Sequence, residues 1–369
     1  MVGFYKSLFA WRFTLNMNEK NIQITNSKEY ADVPGCFHLS DCKLTRNIFY
    51  LAFPVFYPFL SENANSNLQK MLFNEIAALQ GNFFVDNVKI EYKSLENIED
   101  FGNITRLSPQ RKLRPRKFFL FQMTISNASH LMVPYDKFSA ETNFILYVFS
   151  YMKNFAYSLA YALGIYCDAG IDVDNFIIYY NDANYGVSEG LLSSFSGLRK
   201  TDDFFSKELS GLTLQKTLKW ILSIDDVQNA CGKTALGKSL SIYSRMFSST
   251  SGDDEVFMNG LFSVMALEAL YESNGARKTL IEKVTAFLNI DKKKCKEDID
   301  EIYNHRCSVA HGGFELPFKF NAQDGSKDFE KSYDKTEKAF GLGTQYLLES
   351  YKKMILENKK ELSFVYSCL

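Results

Sequence analysis

The feature that most constrains this chain is a change of rhythm near its middle. From Leu212 onward, LTLQKTLKWILSI, KSLSIYSRMF, VFMNGLFSVMALEALY, RKTLIEKVTAFLNI, CKEDIDEIYNHRCSVAH and DKTEKAFGLGTQYLLESYKKMILENK all place apolar residues at helical spacing. Polar or charged breaks such as SSTSGDDE and NIDKKK separate them. Amphipathic helices joined this way bury their stripes against one another, so residues 201–369 are expected to fold as an all-α bundle.

The first two hundred residues read differently. RFTLN (Arg12 to Asn16), NIQIT (Asn21 to Thr25), NFFVDNVKIEY (Asn82 to Tyr92), KFFLFQMTI (Lys117 to Ile125) and NFIIYY (Asn175 to Tyr180) are strand-like. LQKMLFNEIAALQ (Leu68 to Gln80) and the stretch from Asn143 are helical in pattern. The polar run from Asn181 to Asp203, rich in Gly and Ser, marks the boundary. The expected class is α+β: a mixed α/β N-terminal domain over residues 1–200, then the helical bundle.

Bulk properties narrow the options. With 369 residues, two domains are the natural expectation. Aromatic residues make up 15% of the chain, so large rings should dominate the core. Net charge is −1 and is balanced in both parts, so a nucleic acid would have to meet a local patch. The seven cysteines are scattered with no CxxC pair, which argues against structural zinc and for a reducing, cytoplasmic setting. Ile48 to Leu60 is short and carries two prolines, and reads as buried strand or loop. Asn143 to Tyr166 is long enough for a membrane span, but Lys153 interrupts it, so a buried helix is expected and no membrane partner.

Two motifs suggest chemistry. GKTALGKS (Gly232 to Ser239) has the spacing of a phosphate-binding loop, which would make Lys238 a phosphate ligand in nucleotide hydrolysis. Such a loop needs a buried strand leading into it, whereas DDVQNAC precedes it here. The expected structure is a loop entering the KSLSIYSRMF helix.

The second motif is HRCSVAHGG, at the end of CKEDIDEIYNHRCSVAH, with Gly312–Gly313 as the expected C-cap. Ile299, Ile302/Tyr303, Arg306 and Val309/Ala310 share one helical stripe, which puts Arg306 in line with the apolar face. A guanidinium there needs an anionic partner or a solvated cleft. In VFMNGLFSVMALEALY, Phe257, Leu261, Val264/Met265 and Glu268 form a stripe on a helix apolar on all faces, expected at the bundle centre. Glu268 and Arg306 would satisfy one another, leaving His311 as a surface residue at the helix end. Equally, Arg306 and His311 would form a functional site.

IYNHRCSVAHG resembles the signature of the HEPN superfamily, an Arg followed at four to six residues by His. Tyr303 before the Arg, Gly after the His and the Leu–Glu pair of FSVMALEALY are similar to the Apea-like branch. The resemblance spans roughly Leu212 to Lys360. It implies a metal-independent endoribonuclease with no cofactor, in which His311 moves the proton and Arg306 clamps the scissile phosphate. These residue types suit those roles, since an imidazole titrates near neutrality and an arginine holds a permanent bidentate charge. The resemblance further implies a homodimer with a composite cleft, RNA as substrate, a 2′,3′-cyclic phosphate product and a role in anti-phage defence or growth arrest. Glu268, Tyr303, Asn304 and Ser308 are the auxiliary residues. Cys307 stands where many active members carry Asn, Asp or Ser, so Ser308 or Asn304 would supply that polar group. The N-terminal domain, of no recognised family, would bind a trigger or inhibitor. The alternative is a catalytically silent module that dimerises and binds a partner or nucleotide.

Overall fold

The computed structural model describes residues 48–56, 72–85, 88–95, 117–126, 140–167, 172–173, 177–180, 183–187, 211–246, 254–311 and 327–364. The strand-like runs at Arg12 to Asn16 and Asn21 to Thr25 lie outside them. The chain builds β1 (Ile48–Phe56), a short helix α1 (residues 72–77), β2 (Gln80–Val85), β3 (Val88–Leu95), β4 (Lys117–Ser126) and the long helix α2 (Ala140–Cys167). β5 (Asp172–Val173), β6 (Ile177–Tyr180) and β7 (Ala183–Val187) follow. All pairings are antiparallel, in the order β2-β3-β4-β1-β6-β7, with β5 added to β1.

Period-two alternation explains the sheet's one dry face. In β3, Val88, Ile90 and Tyr92 are buried while Glu91 and Lys93 are exposed; in β4, Phe119, Phe121, Met123 and Ile125 are buried. α2 covers this face through Phe155, whose ring lies 4.8 Å from Tyr92, 5.5 Å from Phe121 and 5.9 Å from Phe83. Each such pair contributes about 1 kcal/mol beyond burial of its area. β1 tolerates a proline in a central strand for a local reason. Pairing with β6 ends at Ala52 and pairing with β5 resumes at Val55, so Pro54 falls where neither strand is paired. NFFVDNVKIEY, read as one run, holds two strands, β2 and β3, paired antiparallel, and the start of the expected boundary region is β7. Among the described residues no helix is long and apolar enough to cross a membrane.

After residue 211 the structure is helical: α3 (Leu214–Leu222), α4 (Asp225–Gln228), α5 (Ala235–Arg245), α6 (Asp254–Tyr271), α7 (Arg277–Leu288), α8 (Lys292–Ala310) and α9 (Lys327–Leu356). The class is therefore α+β. Thr213, Thr234 and Asp291 cap α3, α5 and α8, each side chain accepting from a first-turn N–H. α9 ties the bundle together with hydroxyl groups. Tyr346 donates to Asp298 of α8 at 2.7 Å, Ser350 shares a 2.7 Å bond with Tyr271 of α6, and Tyr351 shares one of 2.7 Å with Ser239 of α5.

The sheet region and the helices share one hydrophobic cluster. Tyr161 of α2 and Tyr351 of α9 both meet Tyr243 of α5 edge-on, at 6.3 and 5.6 Å. Polar contacts run alongside: Leu214 N–H donates to Glu75 at 3.1 Å and Gln215 donates to the Tyr92 hydroxyl at 3.1 Å. Gly81 makes room for that hydroxyl, since a Cβ there would come within 2.8 Å of it.

Candidate functional site

The HRCSVAHGG segment forms the outer end of α8. Asp291 starts the helix, accepting from Lys294 N–H at 2.7 Å, and His311 closes it, its N–H donating to the Cys307 carbonyl at 3.0 Å. The cap position is thus His311; Gly312 and Gly313 lie outside the described residues. The stripe faces the bundle only for part of its length. Ile299, Ile302 and Tyr303 are buried, Arg306 and Val309 are half-buried, and Ala310 and His311 are exposed. Over its last two turns α8 leaves the bundle.

Glu268 does not serve as the counter-ion of Arg306. It accepts a 2.6 Å hydrogen bond from the Tyr303 hydroxyl instead. Tyr303 is buried where Arg306 is only half-buried, so its hydroxyl lies nearer α6 and takes the carboxylate. Burial raises the Tyr303 pKa, and the hydrogen bond to Glu268 and its charge add to this; Ser273 and the nearby Arg306 charge act the other way. The net shift is upward, so the phenol stays a donor. Arg306 therefore stands close to a carboxylate whose short hydrogen bond is already made, and its own forked donors remain available at a half-open position.

The two histidines flanking Arg306 go to different surroundings. A Cβ placed on Gly260 of α6 would lie 3.6 Å from His305 Nε2, so this imidazole packs against bare helix backbone. Burial lowers the His305 pKa, which favours the neutral ring. His311 stands in the open. Cys307 and Asn304 are exposed as well, while the Ser308 hydroxyl turns back to the Asn304 carbonyl at 2.9 Å. The sequence placed Tyr303 and Glu268 as auxiliaries without linking them, and it gave no sign that His305 turns inward.

α6 is not enclosed on all sides, as its composition suggested. Met265 is 44% exposed and Leu261 half-buried, on the same stripe as Glu268. An apolar strip thus borders the emerging end of α8. Among the described residues, no three His, Cys, Asp or Glu side chains gather as a metal ion would require.

GKTALGKS has a structural explanation. The Asp226 carboxylate accepts from Lys233 N–H at 2.9 Å, from Thr234 N–H at 2.7 Å and from the Thr234 hydroxyl at 2.7 Å. Two of the loop's backbone donors are thus occupied by the chain's own anion, and the N–H groups of Gly237 and Lys238 go to Thr234. Burial pushes the Asp226 carboxyl up, but the hydroxyl and N–H of Thr234 and the N–H and charge of Lys233 more than offset this, and its pKa is lowered. Gly237 is required because a side chain there would overlap the Asp226 carboxylate. Ser239, the residue that would hold a magnesium ion, is fully buried and donates to the Ala266 carbonyl at 2.7 Å. Lys238 is exposed. The segment is a capped loop entering α5.

No family model, curated protein or solved structure matches this chain. The assignment of a function rests on the geometry above and on the resemblance of the motif.

Proposed function

We propose that this protein is a metal-independent endoribonuclease that cuts RNA with Arg306 and His311 at a cleft formed by two copies of the chain. The observation that carries the reading is the departure of α8 from the bundle at Arg306. It leaves an always-charged guanidinium half-open and an imidazole exposed five residues on, about 7.5 Å further along an ideal helix axis. A phosphate held by Arg306 would have its growing negative charge offset there, and His311 would take the proton of the ribose 2′-hydroxyl or return one to the leaving oxygen. The Glu268–Tyr303 pair would position Arg306 from behind. The open strip along Leu261 and Met265 offers a surface for the second copy. In this reading the helical part belongs to the HEPN superfamily, acts in the cytoplasm as a defence or growth-arrest effector, and answers to a trigger bound by the N-terminal part.

One observation favours a second reading, a silent dimerisation and partner-binding module. Ser308, one of the two groups that would replace the polar residue missing at Cys307, spends its hydroxyl on the Asn304 carbonyl. That leaves only the exposed Asn304 side chain to act. End-labelled RNA incubated with the full chain in excess EDTA separates the readings. Cleavage leaving cyclic phosphate, lost in Arg306→Ala and His311→Ala, is expected. No cleavage favours the silent module, and cleavage by both variants equal to wild type overturns the Arg306–His311 site.

A further inference from the structure

The sheet has an open edge at β2. The Ser94 N–H donates to the Leu79 carbonyl at 2.8 Å, and Gln80 lies opposite Lys93. In an antiparallel ladder this alternation turns the backbone groups of Leu79, Gly81, Phe83 and Val85 toward β3 and those of Gln80, Asn82 and Phe84 away from it. The Gln80 N–H shows the direction, since it leaves the sheet to meet Gln215 Oε1 of α3 at 3.0 Å. β2 stands last in the strand order, and among the described residues nothing takes the outward N–H and C=O of Asn82 or Phe84. Four strong backbone groups therefore face off the sheet.

Edge strands of folded proteins are commonly blunted by a lysine, a proline or a bulge. β2 has none of these. QGNFFV carries no charge and no proline, and its register with β3 runs unbroken from Gln80 to Val85. It carries an open aromatic ring instead. Phe83 packs on Phe155 of α2, so Phe84 lies on the opposite face of the sheet. There it is 53% exposed, more than any other large apolar side chain among the described residues, and Asn82 on the same face is exposed as well. Unused donors and acceptors and an uncovered ring thus coincide on one short stretch.

We propose that β2 pairs antiparallel with β2 of a second copy of this chain, joining the two sheets across a two-fold axis at Phe83. In that register Asn82 of each copy stands opposite Phe84 of the other. The N–H and C=O of each meet the C=O and N–H of its opposite, so four hydrogen bonds form and every outward group of these residues is used. An axis at Asn82 would leave the Phe84 carbonyl without a donor, because the Gln80 N–H is taken. Each Phe84 ring lies beside Asn82 of the other copy. The facing positions bear no charge, so identical strands meet without like-charge repulsion. Six residues a side are fewer than the roughly 20–30 of a standard interface, so the pairing is a concentration-dependent equilibrium. The contact uses the sheet and not α6 or α8, and the inference does not depend on RNA cleavage.

The test uses the full chain carrying Met265→Glu, which puts a charge on the apolar strip assigned above to the other contact between copies. Sedimentation equilibrium from micromolar to millimolar protein is expected to show monomers passing into dimers. Hydrogen exchange followed over the same range should show the Asn82 and Phe84 amides slowing at least ~10-fold while Gln80 keeps its rate. Asn82→Pro removes one outward N–H and spares the ladder to β3, and should weaken dimerisation at least ~10-fold with an unchanged melting midpoint. Phe84→Lys, which places a charge at the contact, should weaken it at least as much. Should either variant melt early, Asn82→Lys serves the same comparison. Dimers that persist equally in the variants, or dimers whose Asn82 and Phe84 amides exchange as fast as the monomer's, would each overturn the proposal. Monomers at every concentration would overturn it too, and would assign the edge to a strand of another protein.

Discussion

Gly232–Ser239 and His305–His311 both invite a chemical reading, and the structure treats them in opposite ways. In the first, the anion is already present. Asp226 takes two of the loop's N–H groups and the Thr234 hydroxyl, and Gly237 leaves the room for it to approach. In the second, the carboxylate of Glu268 is occupied by Tyr303, the cation is half-buried and the outer imidazole is exposed. A motif whose complement is supplied by its own chain is a structural device; one whose donors are left over is a candidate for a ligand.

The contrast can be broken at either end. The largest effects are expected at α8: Arg306→Ala and His311→Ala should each lower RNA cleavage at least ~100-fold in single-turnover assays. His311 is exposed and Arg306 half-buried, so urea unfolding should shift by no more than about 0.5 kcal/mol at the first and about 1 kcal/mol at the second. Asp226→Ala reverses that pattern. It leaves two N–H groups and a hydroxyl without their acceptor and should cost about 2–3 kcal/mol by the same measurement, with cleavage per folded molecule retained. Asp226 should also leave a mark in acid. Its carboxyl is lowered on folding, so its contribution is present above about pH 4, the unfolded value, and disappears as pH falls through the folded one. Stability of wild type minus Asp226→Asn, followed from pH 7 to pH 2, should shrink accordingly; a flat difference would refute the account. The smallest effect belongs to Lys238→Ala, where stability should stay within about 0.5 kcal/mol and RNA cleavage unchanged. A lost activity there would reopen the loop as a nucleotide site.

Helical segments were legible in the sequence because periodicity survives without knowledge of partners. The CKEDIDEIYNHRCSVAH helix ends at Ala310, with His311 rather than the glycines as its cap, and starts at Lys292, because the Asp291 cap precedes the apolar stripe. The pairing of β2 with β3 was hidden because NFFV and VKIEY both alternate, and β5 is too short to alternate at all. At the site, periodicity put Arg306, Tyr303 and Glu268 on facing surfaces but could not tell which side chain would reach first. That choice depends on how deep each position sits and how its side chain leans, which only a packed helix pair fixes. Nor could spacing show that the stripe of α8 outlasts its neighbours, so that Arg306 and His311 emerge while His305 turns in.

The hydroxyls of α9 carry one more consequence. This rod of 30 residues, roughly 45 Å long, is fastened at Tyr346, Ser350 and Tyr351 to three different helices. Greasy surfaces alone tolerate sliding, since one leucine is much like the next. A slip by a single residue here would break all three bonds together and strand their polar atoms in the interior. The tyrosines thus work as a keyed lock on a smooth shaft: they add little to how strongly the bundle holds and much to its holding in one alignment.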